Sequence, residues 1–207
     1  MTKKATRHSS TGKIQVIGID HGWSLIKTSK HIFTTGVKEL TTEPAFPNQV
    51  LEYDGRYYAI GEKRLIVKDT KVENENFYLL TLAAMAMELN CRGVRNADVF
   101  LSVGLPLSKY GAEKQEFINY LSKNKEVAFK YEGKNYKVNI VKVDVFPQCY
   151  AAVADKLSER KREQLVVDIG SWTFDCLTIK DMLPQNGQST SKEIGLITCM
   201  NEINEEC

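Results

Sequence analysis

The chain has 207 residues, 43% of them hydrophobic and 26% charged, which is enough apolar material for one large domain or two small ones. Its 28 basic residues nearly balance 26 acidic ones, and a scattered net charge of +2 does not by itself argue for a direct nucleic-acid binder. No apolar run approaches the roughly 18 residues of a membrane span, and the polar residues 1–12 lack the apolar stretch of a signal peptide.

Residues 1–12 read as a disordered tail. Lys13 to Asp20 predicts a strand ending on a carboxylate, and after His21-Gly22 two more strands follow, Trp23 to Thr28 and His31 to Thr35. Glu43 to Asn48 holds two prolines and reads as loop. Val50 to Tyr53, Asp54-Gly55 and Arg56 to Ile60 form a hairpin, because Asp-Gly supplies the positive φ angles of a tight turn. Its three tyrosines, Tyr53, Tyr57 and Tyr58, suggest an edge hairpin of a small subdomain (about 40–75) that makes subunit contacts.

Phe77 to Leu89 is apolar nearly all round and predicts a deeply buried helix. Asp98 to Gly104 is a strand running into Leu105-Pro106, and Ser108 is placed to cap a helix to about Leu121. Glu126 to Tyr131 and Tyr136 to Val145 flank the turn Glu132-Gly133 as a second hairpin. Pro147 suits the first position of a helix to about Arg160, with Tyr150, Val153, Ala154 and Leu157 as its apolar stripe. Leu165 to Asp168 and Phe174 to Ile179 are strands around a Gly-containing turn; Lys180 to Ser191 is loop, Ile194 to Thr198 a strand, and a helix begins near Met200. This order indicates α/β architecture. The five cysteines are widely spaced, and Cys149, Cys176 and Cys199 sit among apolar neighbours, so they read as reduced buried thiols of a cytoplasmic protein.

Three places carry chemistry. In Asp20-His21-Gly22-Trp23-Ser24-Leu25-Ile26-Lys27, a strand ends in Asp, a Gly turn follows, and Lys returns seven positions on. Such a turn can aim backbone N–H groups at a phosphate, Asp20 can hold Mg²⁺ through water, and Lys27 adds a point charge. Taken alone, an ordinary polar hairpin explains these residues better. Asp168-Ile169-Gly170-Ser171-Trp172-Thr173-Phe174-Asp175 is more specific: a second carboxylate, a second Gly turn and a hydroxyl, between strands that are clearly apolar. Two such turns face to face would clamp a polyphosphate. Finally, Val145-Phe146-Pro147-Gln148 puts Gln148 in a first helical turn, where an amide can orient an attacking water. By itself that spot carries little weight, since a solvent-facing Gln near a helix start explains it.

Taken together, the three resemble the phosphate-1 turn, the polar residue after proline and the phosphate-2 turn of the actin, sugar-kinase and heat-shock chaperone superfamily. Asp20, Gly22 and Lys27 look like its first phosphate motif; Asp168, Gly170, Thr173 and Asp175 look like the second. Within the superfamily, Phe77-Tyr78-Leu79-Leu80-Thr81-Leu82-Ala83-Ala84, Gly104-Leu105-Pro106-Leu107-Ser108, Phe146-Pro147-Gln148 and Gly195-Leu196-Ile197-Thr198 are similar to the ParM/StbA branch of bacterial actin-like ATPases. ParM proper is expected to carry Glu at the place of Gln148, where actin has Gln.

The resemblance implies an actin-like ATPase fold with ribonuclease H-like mixed sheets, domain I over 13–162 and the start of domain II over 163–207. It implies ATP and Mg²⁺ as cofactors, Mg²⁺ held through water near Asp20 and Asp168. Gly22, Trp23, Ser24, Lys27, Gly170, Ser171, Trp172, Thr173 and Asp175 would bind the nucleotide, with Gln148 and Asp168 catalytic. It further implies self-association into filaments that segregate plasmid DNA through a ParR-like DNA-binding adaptor, without membrane attachment. On the family pattern, the adenosine-binding motif belongs after residue 207, so the 207-residue chain alone is expected to bind ATP weakly and to hydrolyse it slowly, if at all. Two other readings remain: a small-molecule kinase of the same fold, which would need a substrate-side base in place of Gln148, and a truncated regulatory fragment that binds without hydrolysis.

Overall fold

The computed structural model describes residues 13–159, 163–185 and 188–206. The expected tail and the end of the helix near Arg160 lie outside these. A nine-stranded sheet dominates the described residues. Its centre is parallel: β1 (Gln15–His21) pairs with β7 (Asn96–Leu105), which pairs with β9 (Lys134–Pro147). On one side the chain meanders through β2 (Leu25–Thr28) and β3 (Ile32–Thr34). On the other lie β8 (Glu126–Tyr131), β5 (Val50–Tyr53), β6 (Arg56–Ile60) and finally β4 (Val37–Leu40).

The Asp54-Gly55 turn takes φ of 51° and 71°, the left-handed pair that a two-residue hairpin requires. The hairpin is joined to the main sheet. Leu51 and Glu52 pair with Tyr131 and Lys130, so β5–β6 extends the main sheet, and β4, unforeseen in the sequence, makes the edge. Tyr58 is buried, and Tyr53 packs on the Tyr78 ring and accepts a hydrogen bond from Asn124. Two of the three tyrosines are thus occupied inside the fold.

Helix α1 (Asn76–Cys91) crosses the sheet with twelve of its residues buried, from Phe77 to Leu89. Its all-round apolar surface is what a helix between a sheet and a second helix needs. Its one buried acid, Glu88, is fully engaged: burial pushes its pKa up, but hydrogen bonds from Thr28, the Lys30 amide and Arg92 outweigh this and hold it below the usual value. Helix α2 (Leu107–Leu121) packs Phe117 and Leu121 into the same core. Its cap is not Ser108. Pro106, extended at φ −53° and ψ 147°, launches it without a side-chain cap.

The second sheet is small: β10 (Gln164–Ile169), β11 (Phe174–Lys180), β12 (Leu183–Pro184) and β13 (Thr190–Lys192), the last two within the expected loop. Its inner face buries Leu177 and Ile179 against Cys149, with Leu107, Tyr150 and Val153. The helix after Pro147 is broken. It runs as α3 (Gln148–Ala151), then as a 3₁₀ stretch Ala154–Glu159. Only Cys149, Tyr150 and Val153 of the described side chains find apolar partners, while Ala151, Ala152, Ala154, Asp155 and Lys156 are exposed, so little packing rewards a longer helix. Ile194 to Thr198 is not a strand, since helix α4 (Leu196–Glu206) begins there. Cys199 is exposed, against expectation; Cys149 is buried and Cys176 half-buried.

A candidate phosphate cleft between two glycine turns

Three parallel strands deliver their carboxyl ends to one place, where open α/β sheets bind ligands. β1 ends at Asp20-His21, β7 at Gly104-Leu105 and β9 at Pro147, followed by Gln148. Asp20 pairs across β2 with Lys27, whose Nζ lies 3.3 Å from its carboxylate. The Gln148 amide donates to the other Asp20 oxygen at 2.5 Å. Gly104 is the reason Gln148 fits: a Cβ there would sit 2.6 Å from its Cγ.

A cavity of about 150 Å³ is lined by Asp20, Gly22, Lys27, Gln148, Asp168 and the turn Gly170 to Thr173. The two turns predicted from sequence therefore share one cleft, with both carboxylates on its wall. An adjoining space of about 500 Å³, lined by Asp20, Gly104, Gln148 and Asp168, opens between the sheets.

The second turn is built by α4. Amides of Gly195, Leu196 and Ile197 donate to the carbonyls of Trp172, Gly170 and Ser171 at 2.8, 3.1 and 2.9 Å. These are otherwise orphan groups at a helix start, and here the turn satisfies them. A trans peptide holds C=O and the next N–H on opposite sides. With three carbonyls turned to α4, the amides of Ser171, Trp172 and Thr173 point away from it, as an anion-binding nest requires. Gly195 is obligatory at this contact, because a Cβ would come within 2.6 Å of the Ser171 and Trp172 backbone.

The first turn is set the same way. Thr35 Oγ1 donates to the Gly22 carbonyl at 2.7 Å, which turns the Trp23 amide outward. The Trp23 ring itself is buried edge-on against Phe77, so only its backbone serves the cleft. Ser24 Oγ accepts from Arg64. Trp172 packs partly on the main core.

Carboxylates gather on this cleft and act on one another. Burial raises the Asp168 pKa, and Asp175 and Asp20 raise it further against the pull of Lys27. Asp175 is 2% exposed; Thr173 donates to its Oδ2 at 2.9 Å, but its Oδ1 has no partner. Among the described residues no three acidic, imidazole or thiol groups come close enough to grip a metal directly. Carboxylates that line a cleft without gripping a metal directly are compatible with Mg²⁺, which keeps its waters and takes phosphate oxygens as ligands.

One residue escaped the sequence reading. Lys71 arrives from the segment between β6 and α1 and lines the same cavity, 4% exposed, with no hydrogen-bond partner on its Nζ. Burial pulls its pKa from 10.5 to about 8, while Asp20, Glu113 and Asp175 oppose the fall. Behind it, His21 hydrogen-bonds Thr81 at 2.8 Å, and burial with the Lys71 charge lowers its pKa to about 3. It is a neutral core histidine.

Two glycine turns facing one cleft between two sheets, with carboxylates on both sides and an amide between, are the arrangement of an actin-type fold. The chain belongs to the actin-like proteins: the family's N-terminal domain matches residues 18–150. No curated protein sequence matches it. Among solved structures, the archaeal actin homologue Ta0583 superposes with a TM-score of 0.72 at 23% identity over 92% of this chain. The psk41 ParM protein, without nucleotide, gives 0.71 at 16% over 94%, and an AlfA filament bound to AMPPNP gives 0.69 at 17% over 94%. At these identities the likeness speaks for the fold. The chain spans 65% of the length of Ta0583, 71% of that ParM and 77% of AlfA. No described helix is long and apolar enough to cross a membrane.

Proposed function

We propose that this chain supplies the phosphate-binding side of an actin-like ATPase that assembles into nucleotide-dependent filaments and segregates DNA, plasmid DNA in particular, through a DNA-binding adaptor of the ParR kind. The observation that carries the reading is the Gln148 amide, held by Asp20 and seated on Gly104, between the two glycine turns. The AlfA filament bound to AMPPNP has the same fold and supports both the nucleotide and the self-association.

In this reading the amides of both turns and Lys27 bind the phosphates. Asp20 and Asp168 hold Mg²⁺ through its waters, and Mg²⁺ when bound neutralises charge developing on the transferred phosphoryl group. Gln148 accepts from and donates to the attacking water and fixes its line of approach. An amide takes no proton outright, so its contribution is positioning. A sugar-kinase role is disfavoured because no carboxylate stands where Gln148 does.

Titration of ATP into the chain with and without Mg²⁺ tests the site. Weak Mg²⁺-dependent binding, in the range of about 0.1–1 mM, is expected, with Lys27→Met and Asp168→Ala each about tenfold weaker. Binding indifferent to Mg²⁺ and to both substitutions would overturn it. In a protein that also carries the adenosine-binding half, Gln148→Ala should slow hydrolysis about a hundredfold and leave affinity nearly unchanged.

A further inference from the structure

A buried ammonium without a partner is costly, and natural folds retain one where it has a use. Lys71 is such a group. Its Nζ lies 5.8 Å from the centre of the Phe77 ring, in the space bounded by Trp23, Pro106, Trp172 and Thr173. On the opposite side of the charge balance stands Asp175, whose Oδ1 is equally buried and equally unpartnered. The two attract one another, yet no bond joins them. Lys71 thus lines the cleft with a buried donor left open, which calls for a ligand that accepts there, as a phosphate oxygen does.

The position of Lys71 distinguishes it from Lys27. The Lys27 side chain is 52% exposed and lies at the mouth, paired with Asp20. Lys71 lines the same cavity but is only 4% exposed, so it is the more enclosed of the two. A polyphosphate that enters past the exposed lysine brings its leading end to the enclosed one. Resting on the nucleotide-site reading above, we propose that Lys71 receives the terminal phosphate of a bound triphosphate and makes this cleft discriminate triphosphate from diphosphate.

The segment that carries Lys71 is itself laced to the first turn. The Gly61 and Leu65 amides donate to the Gly36 and Thr35 carbonyls, Arg64 donates to Ser24, and Gly36 admits Lys63 so closely that a Cβ would meet its carbonyl at 2.6 Å. Gly61 directly follows β6, the strand of the hairpin that pairs with the edge strand β4.

The test compares Mg²⁺·tripolyphosphate with Mg²⁺·pyrophosphate, which need no adenosine contacts. Lys71→Met keeps the length and apolar stem of the side chain and removes the charge. It should weaken tripolyphosphate at least tenfold and pyrophosphate less than threefold, whereas Lys27→Met weakens both. Unchanged binding, or equal loss for both ligands, would refute the assignment. If Lys71→Met fails to fold, Lys71→Gln, which removes the charge and keeps a polar end, is compared in the same titrations. Selective loss of tripolyphosphate binding supports the role, and equal loss or none for both ligands excludes it. A wild-type chain that binds neither ligand removes the nucleotide-site reading and this inference together; one that binds both and responds to Lys27→Met but not to Lys71→Met removes this inference alone.

Discussion

If Lys71 is kept for a ligand, its charge must cost the ligand-free fold stability. The lysine pKa falls from 10.5 to about 8 on burial. At about 1.4 kcal/mol per pH unit, that depression corresponds to about 3 kcal/mol of destabilisation by the charged form. The sign follows from proton binding. Below pH 8 both folded and unfolded chains hold the proton, and the cost is present in full. Between pH 8 and 10.5 only the unfolded chain holds it, so stability recovers as pH rises, and above that range the cost is gone. Lys71→Met removes the charge and keeps a stem that packs on Phe77 and Trp23. Urea unfolding at pH 7, without phosphate, should show the variant more stable by about 1–3 kcal/mol, a gain of roughly 3–10 °C in Tm for a chain of this size. At pH 10 the advantage should shrink by more than half. A variant less stable than wild type at pH 7 would show that the ammonium is a structural counter-ion of Asp20, Glu113 and Asp175, and the reasoning would fail.

Gly104→Ala places a Cβ 2.6 Å from Gln148 Cγ, where carbon atoms settle near 3.5–4 Å. Gln148 must retreat by about 1 Å and leave Asp20, so hydrolysis in the protein with its adenosine-binding half should fall about a hundredfold while tripolyphosphate affinity stays within threefold; parallel loss of both would contradict a positioning role. Asp168→Asn should raise the Tm of the cation-free chain at pH 7, because the folded carboxylate titrates above its unfolded value and its ionised form opposes folding. The gain should vanish once the pH is low enough to protonate Asp168 in both states, and a gain persisting there would point to packing instead.

Where structure is decided locally, the amino-acid sequence settled it. The Asp54-Gly55 hairpin follows from backbone freedom at two residues, α1 from an apolar run too long for a strand, and the two phosphate turns from carboxylate, glycine and hydroxyl at fixed spacing. Asp20, Lys27, Gln148 and Asp168 were legible because each stands at a strand end or helix start. Tertiary structure decided what local signals leave open. Ile194 to Thr198 suits a strand or a helix, and the carbonyls of the second turn select the helix by bonding its first amides. The helix after Pro147 is cut short by the small apolar surface offered to it. The hairpin tyrosines look equally apt for a partner or a sheet, and pairing with β8 fixes the sheet. Lys71 was invisible for the plainest reason. A lysine in an irregular segment is usually solvated, and only long-range packing of Trp23, Phe77, Pro106 and Trp172 around one amine takes its water away and leaves its charge pointing at the cleft.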